Sequence, residues 1–268
     1  MSLLVSNLTV ERRGRTVLRN VSFEARQGRV LVVMGPNGAG KTTLLGAIGG
    51  LLRPADGRIA FAGQALHLLR PEAMAVWRAY MAQHFETPFA YGVEDIVGLG
   101  RLCHAGTSRA AQDEAAIASA LARADLKAFA GRAVTTLSGG ERQRVAFAKA
   151  LAQIHDRALS GKPHLVILDE PVSSLDPEHQ HRLLGEARKL AGGGATVVVT
   201  LHDLTLASIH GDDVLLLDRG GAVAHGAMAA TLTPALIRQV FKVEVASAPQ
   251  EAGEVILHAI AQSHNQAV

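Results

Sequence analysis

Val30-Leu31-Val32-Val33-Met34-Gly35-Pro36-Asn37-Gly38-Ala39-Gly40-Lys41-Thr42-Thr43 is the stretch that decides the fold. Its continuous apolar start predicts a buried strand over Val30 to Met34, and the periodic residues after it predict a helix from about Lys41 to Leu51. Between the two, Gly35 to Thr42 fits Gly-x-x-x-x-Gly-Lys-[Ser/Thr] in the strand, loop, helix setting that a phosphate-binding loop requires. Glycines at 35, 38 and 40 permit positive φ, so in the loop that holds Pro36, Asn37 and Ala39 the backbone N–H groups after the proline can turn inward on phosphate oxygens. The helix N-terminus adds partial positive charge. Lys41 supplies a mobile point charge for β- and γ-phosphates, the Thr42 hydroxyl suits a Mg²⁺ ion, and Thr43 continues the cradle. These residues predict nucleotide binding.

Working outward, further apolar runs at Leu165 to Leu168, Val197 to Thr200 and Val214 to Leu217 have the length and composition of parallel-sheet strands. A helix is predicted between the first two, from Pro177 to Leu190, ended by Gly192-Gly193-Gly194. From Glu72 to Ala152 the chain is Ala-rich with helical spacing, broken by Pro88, Gly92, Gly106 and Gly131. Residues 3–10 and 21–26 alternate apolar with polar around a Gly-Arg turn, predicting an antiparallel hairpin, and Arg58 to Phe61 reads as an edge strand. Strand and helix alternation on both sides of a helical block implies a parallel sheet with an insertion. The expectation is one α/β domain over residues 1–268, with an N-terminal antiparallel β subdomain, a helical subdomain over 84–150 and a hairpin-like tail over 243–268.

Composition narrows the function classes. Of 268 residues, 48% are hydrophobic and only 4% aromatic, and the formal net charge is +3. Acidic residues interrupt nearly every basic stretch, so the chain lacks the basic face of a nucleic-acid binder. One cysteine, Cys103, allows no intrachain disulfide and suits a reducing compartment. No apolar run approaches the ~18–20 residues that span a bilayer, and the start Met-Ser-Leu-Leu-Val-Ser-Asn does not read as a signal peptide. A cytosolic protein that reaches a membrane only through a partner is expected.

Two further segments carry chemistry. Leu165-Val-Ile-Leu-Asp169-Glu170 is an apolar strand that delivers two acids at its C-terminal end, where α/β folds bind ligands. Asp169 is placed to hold Mg²⁺ and Glu170 to act as general base on an attacking water. Leu137-Ser138-Gly139-Gly140-Glu141-Arg142-Gln143-Arg144 opens a helix predicted over Glu141 to Gln153, giving a second anion-binding helix terminus.

With that segment the sequence resembles the ABC ATPase family of P-loop NTPases, whose signature is LSGGQ or LSGGE. The resemblance implies that Ser138, Gly139 and Gly140 cap the γ-phosphate of an ATP held on the phosphate loop of a second copy, in a head-to-tail homodimer. It also implies roles for residues that match the family elements in order. Gln83 matches the glutamine that contacts Mg²⁺ or the attacking water and couples to a transmembrane partner. Asp176, in Ser173-Ser174-Leu175-Asp176, lies in the loop that communicates across the dimer, and His202 matches the histidine on the γ-phosphate. The family places an adenine-stacking aromatic where this chain has Arg12, whose guanidinium plane could stack instead. The other histidines, His84 included, read as surface or packing residues.

Within the family, long coiled coils or paired cassettes would mark nucleic-acid or ribosome machines, and this chain has neither. A lone cassette implies a subunit that docks on a separate permease dimer, near Gln83 and the segment Phe85 to Val97, at the cytoplasmic face of the inner membrane. The connector Gln153 to His164, together with Leu201 to Ala207, Pro88-Phe89, Val93-Glu94-Asp95 and Asp176 to Gln180, looks like the HmuV-type haem importer ATPases. That resemblance implies haem import with a periplasmic substrate-binding protein, and ferric-siderophore and cobalamin importers share most of the same features.

Overall fold

The computed structural model describes residues 2–83, 85, 87–249 and 255–260. The chain opens on strands β1 (Leu3–Arg12) and β2 (Arg15–Ala25), which pair antiparallel around the Arg13-Gly14 turn. Leu3, Val5, Leu8 and Val10 point inward from β1 while their neighbours face solvent, the pattern of a half-buried sheet. Strand β3 (Val30–Met34) follows, then helix α1 (Lys41–Ile48), which ends three residues short of the predicted Leu51 because Gly49 and Gly50 turn the chain. Strands β4 (Asp56–Phe61) and β5 (Gln64–Ala65) complete the first sheet in the order β2-β1-β4-β5. β4 is therefore an interior strand of that sheet and not the edge strand expected from Arg58 to Phe61.

Helix α2 (Pro71–Trp77) leads directly into strand β6 (Arg78–Met81). This strand corrects the expectation that the elements from Glu72 to Ala152 are all helices. β6 exists because it pairs with a strand more than eighty residues away, Arg78 opposite Leu165 and Met81 opposite Leu168, an interaction that local spacing does not encode. Helices α3 (Val93–Gly98), α4 (Asp113–Arg123) and α5 (Gly139–Leu159) then form the insertion. Arg101, almost fully buried, ties it together by ion pairs of 2.8 Å to Asp113 and 2.8 Å to Asp156 of α5. α5 starts at Gly139, two residues before the predicted Glu141, and runs to Leu159, so most of the supposed connector after Gln153 is helix.

Strand β7 (His164–Leu168), helix α6 (Pro177–Gly192), strand β8 (Ala195–Thr200), helix α7 (Leu204–His210) and strand β9 (Asp213–Asp218) restore the strand and helix alternation. β10 (Gly221–Ala227) runs back along β9, and α8 (Met228–Thr231) and α9 (Pro234–Phe241) follow. In the expected tail, β11 (Glu244–Pro249) pairs antiparallel with β12 (Val255–Ile260), and residues 250–254 and 261–268 lie outside the described residues. The second sheet has the order β10-β9-β3-β8-β7-β6, parallel from β9 through β6.

That parallel sheet divides the core. Val30, Val32 and Met34 face one cluster with α5 and α6, whereas Leu31 and Val33 face the other, under α1 and the antiparallel sheet. Burial on both faces is why β3 is an unbroken apolar run, each such side chain contributing about 1.5–3 kcal/mol. Among the described residues no helix is long and apolar enough to cross a membrane.

Candidate functional site

Adjacent parallel strands β3, β8, β7 and β6 end at the same edge of the sheet, and each carries one or more of the predicted residues just past its end. Gly35 follows β3, His202 follows β8, Asp169 and Glu170 follow β7, and Gln83 follows β6. Neighbouring strands lie about 4.8 Å apart, so residues far apart in sequence meet there. The cavity at this edge has a volume of about 630 Å³ and is lined by Val17, Asn37, Gly38, Gly40, Lys41, Thr42, Thr43, Gln83, Glu170 and His202.

The phosphate loop keeps its shape through glycine. Gly35 has φ +150° and a Cβ there would collide with the Leu217 carbonyl; Gly40 has φ +100° and a Cβ there would sit 2.6 Å from Leu18 Cδ2. Ala39 points its methyl into the core beneath α1, which leaves backbone and Lys41 to face the cavity. Lys41 is only 7% exposed, and its Nζ donates to the carbonyls of Gly35 at 2.8 Å and Pro36 at 3.2 Å. Burial holds the Lys41 ammonium below its ordinary pKa, against the opposing pull of Glu170 and Asp169.

The two acids differ in setting. Asp169 is buried, and its Oδ1 accepts from the Thr200 hydroxyl at 2.9 Å. Burial pushes its carboxyl up, offset by the hydroxyls of Thr200 and Thr42. Its Oδ2 has no hydrogen-bond partner among the described residues. An orphaned carboxylate oxygen beside the Thr42 hydroxyl is a hard-oxygen donor set that fits Mg²⁺. Glu170 turns its carboxylate into the cavity, where Oε2 accepts from Gln83 Nε2 at 2.7 Å and Oε1 lies 2.6 Å from His202 Nε2. It does so from a left-handed backbone, φ +48°, a conformation that costs a non-glycine residue about 1–3 kcal/mol. Its N–H donates to Thr200 Oγ1 at 2.6 Å and its carbonyl accepts from Gln143 Nε2 at 2.7 Å, which hold that turn in place.

The family model described as ABC transporter matches residues 18–173, more than half of the chain and all of the phosphate loop, signature and acid pair. The chain belongs to the ABC transporter family. This ABC protein is 44% identical to the hemin import ATP-binding protein HmuV of Pseudomonas aeruginosa over 91% of the chain and 93% of that relative. It is 41% identical to the HmuV protein of Bordetella avium, covering 96% of this chain and 99% of that one. Among solved structures it resembles an inward-facing putative metal-chelate type ABC transporter, with TM-score 0.78 and 27% identity over 97% of this chain and 98% of that chain. A dimeric bacterial ABC transporter cassette matches with TM-score 0.73 and 25% identity over 84% of this chain and 98% of that chain. The chain is thus an ATP-binding, ATP-hydrolysing transporter subunit.

In this ABC subunit the signature residues stand apart from the phosphate loop of their own chain. Ser138 caps α5, its hydroxyl accepting from the Glu141 N–H at 3.2 Å while Glu141 Oε2 accepts from the Ser138 N–H at 2.6 Å. Ser138 and Gly139 are exposed, and neither they nor Gly140 line the phosphate-loop cavity. Asp176 likewise acts as a helix cap, for α6, with Oδ1 accepting from the His179 N–H at 2.9 Å. Arg12 is exposed on the hairpin and is not a lining residue of the cavity, whose wall on that side is Val17. His84 lies outside the described residues.

Sequence reasoning missed Thr200, Gln143 and Val17. Thr200 was read only as the end of a strand, although its position one residue past Leu168's partner Val199 places it beside both acids. Gln143 sits inside the signature segment but carries no charge to draw notice.

Proposed function

We propose that this subunit works as a head-to-tail homodimer that hydrolyses MgATP to drive haem uptake through a separate permease dimer, fed by a periplasmic substrate-binding protein, at the cytoplasmic face of the inner membrane. The observation that carries the dimeric reading is the separation just described. Gln83, Glu170 and His202 converge on the phosphate-loop cavity, while Ser138 and Gly139 are exposed and do not line it, which leaves that terminus open to another copy's nucleotide.

In this reading the backbone of Gly35 to Gly40 and the ammonium of Lys41 bind and orient the phosphates. Thr42, Asp169 and Gln83 would hold Mg²⁺, which when bound neutralises charge on the β- and γ-oxygens. Glu170 accepts a proton from the water that attacks the γ-phosphorus, and the bond to the β-phosphate oxygen breaks to leave ADP and phosphate. Gln83 and His202 hold the Glu170 carboxylate at the cavity through the 2.7 Å and 2.6 Å contacts. Ser138, Gly139 and Gly140 donate to the γ-phosphate on the partner copy, Asp176 belongs to the loop between the two sites, and Arg12 offers a stacking plane for adenine. The permease is seated beside Gln83 against the segment Phe85 to Val97, where Phe89 and Tyr91 are exposed and stacked edge to face at 5.8 Å.

The cargo reading is supported by the identity to proteins named for hemin import. A second reading, import of a ferric siderophore or cobalamin, draws on the likeness to a transporter of putative metal-chelate type. Vesicles containing the chain, its permease and its binding protein decide between them. ATP-dependent accumulation of haem, undiminished by excess ferric siderophore or cobalamin, is the expected result; uptake of either of those instead overturns the haem assignment.

A further inference from the structure

Gln143 is 8% exposed and spends its whole side-chain amide on one loop. Its Nε2 donates to the Glu170 carbonyl at 2.7 Å and to Ser173 Oγ at 3.2 Å, and its Oε1 accepts from the Ser174 N–H at 3.0 Å. The orientation of the amide is fixed by chemistry, because a carbonyl demands the donor and an N–H demands the acceptor. One side chain thus bridges both ends of the turn whose first residue, Glu170, is held at φ +48°. The helix that carries Gln143 also touches the loop by backbone: a Cβ on Gly140 would lie 2.8 Å from the Ser174 carbonyl oxygen. A shift at the start of α5 therefore moves residues 170–174 with it, and with them the carboxylate that meets Gln83 and His202.

We infer that Gln143 is a positioning residue that makes the placement of Glu170 in one ATP site depend on nucleotide capture at the other. The inference rests on the proposed homodimer, in which Ser138 serves the partner's nucleotide and Glu170 the chain's own. Five residues of one helix then separate the group that senses one ATP from the amide that fixes the base for the second. Gln143 is not a lining residue of the phosphate-loop cavity, so its effect on the reaction runs through the geometry of Glu170.

The test uses the full-length chain assembled with its permease. Gln143→Leu, close in size, removes all three hydrogen bonds; Gln143→Glu keeps the acceptor for the Ser174 N–H and loses the donor to the Glu170 carbonyl. Both variants are expected to lower kcat about five- to tenfold, the size of one or two lost hydrogen bonds, with KM for ATP changed less than about twofold. The Hill coefficient for ATP is expected to fall towards that of independent sites. A merely structural role would lower the melting temperature and leave kcat per folded molecule and the Hill coefficient intact, and that result overturns the inference. Parental kcat in Gln143→Leu overturns it as well. Glu170→Gln measured alongside separates the failures: normal turnover there sinks the underlying site assignment, whereas its loss beside a normal Gln143→Leu sinks only the coupling.

Discussion

Thr200 holds both acids at the end of β7 with a single hydroxyl, donating to Asp169 and accepting from the Glu170 N–H. Thr200→Val keeps the shape and orphans two buried groups, so it should cost about 1–3 kcal/mol in chemical denaturation and lower kcat more than it raises KM. Glu170→Gln should leave ATP binding intact and lower turnover by roughly 10²–10⁴, the size of a lost general base, in a phosphate-release assay. A third prediction concerns His210, whose imidazole is pushed down to about 4 by burial, with His181 and Arg188 adding to it. Its folded pKa lies below the ordinary value of about 6.5, so the stability it contributes is complete above that value and is lost as pH falls towards 4. Denaturation midpoints should therefore decline between about pH 6.5 and about pH 4, and His210→Asn should flatten that part of the curve. At this scale the glycines, Lys41 and the acid pair were legible because their chemistry demands fixed residue types at fixed spacing. Thr200 and Gln143 act through neighbours that only the folded strand ends bring close, and Val17 took the cavity wall because the hairpin carries Arg12 outward.

Helix α5 shows what capping contributes at the level of elements. The reciprocal bonds of Ser138 and Glu141 satisfy N–H groups that the first turn leaves free. Ser138→Ala should cost about 1 kcal/mol of stability, read from the denaturant midpoint at unchanged slope. Gly140→Ala is a separate case, since its Cβ would press on backbone, so it should disturb the 170–174 loop and lower turnover without uncapping the helix. The long elements were legible: β3, β7, β8 and β9 as apolar runs, α6 between Pro177 and its closing glycines. β6 was not, because four residues following a short helix in Ala-rich sequence are too few for their alternation to stand out, and they owe their state to β7.

For the whole molecule, the head-to-tail reading predicts that activity belongs to pairs of chains. Specific ATPase activity should rise with protein concentration, and Ser138→Arg should abolish it while a single chain still binds nucleotide; unchanged activity would count against a shared site. The architecture was legible at this scale because strand and helix alternation on either side of a helical block leaves few ways to build a sheet. The cargo was not, because no residue of the phosphate-loop cavity has chemistry that distinguishes one transported molecule from another.

The sheet order has a consequence for how the site responds to change. β3 is flanked on both sides by hydrogen-bonded strands, whereas β6 closes the sheet and, among the strands of the described residues, pairs with β7 alone. Amide protons of Val30 to Met34 should accordingly be among the last to exchange with deuterated solvent, and those of Arg78 to Met81 should exchange well ahead of them. The loop that grips phosphate is thus anchored to an interior strand, while Gln83 hangs from an edge strand. Of the groups that meet the Glu170 carboxylate, it is the one that follows an edge strand.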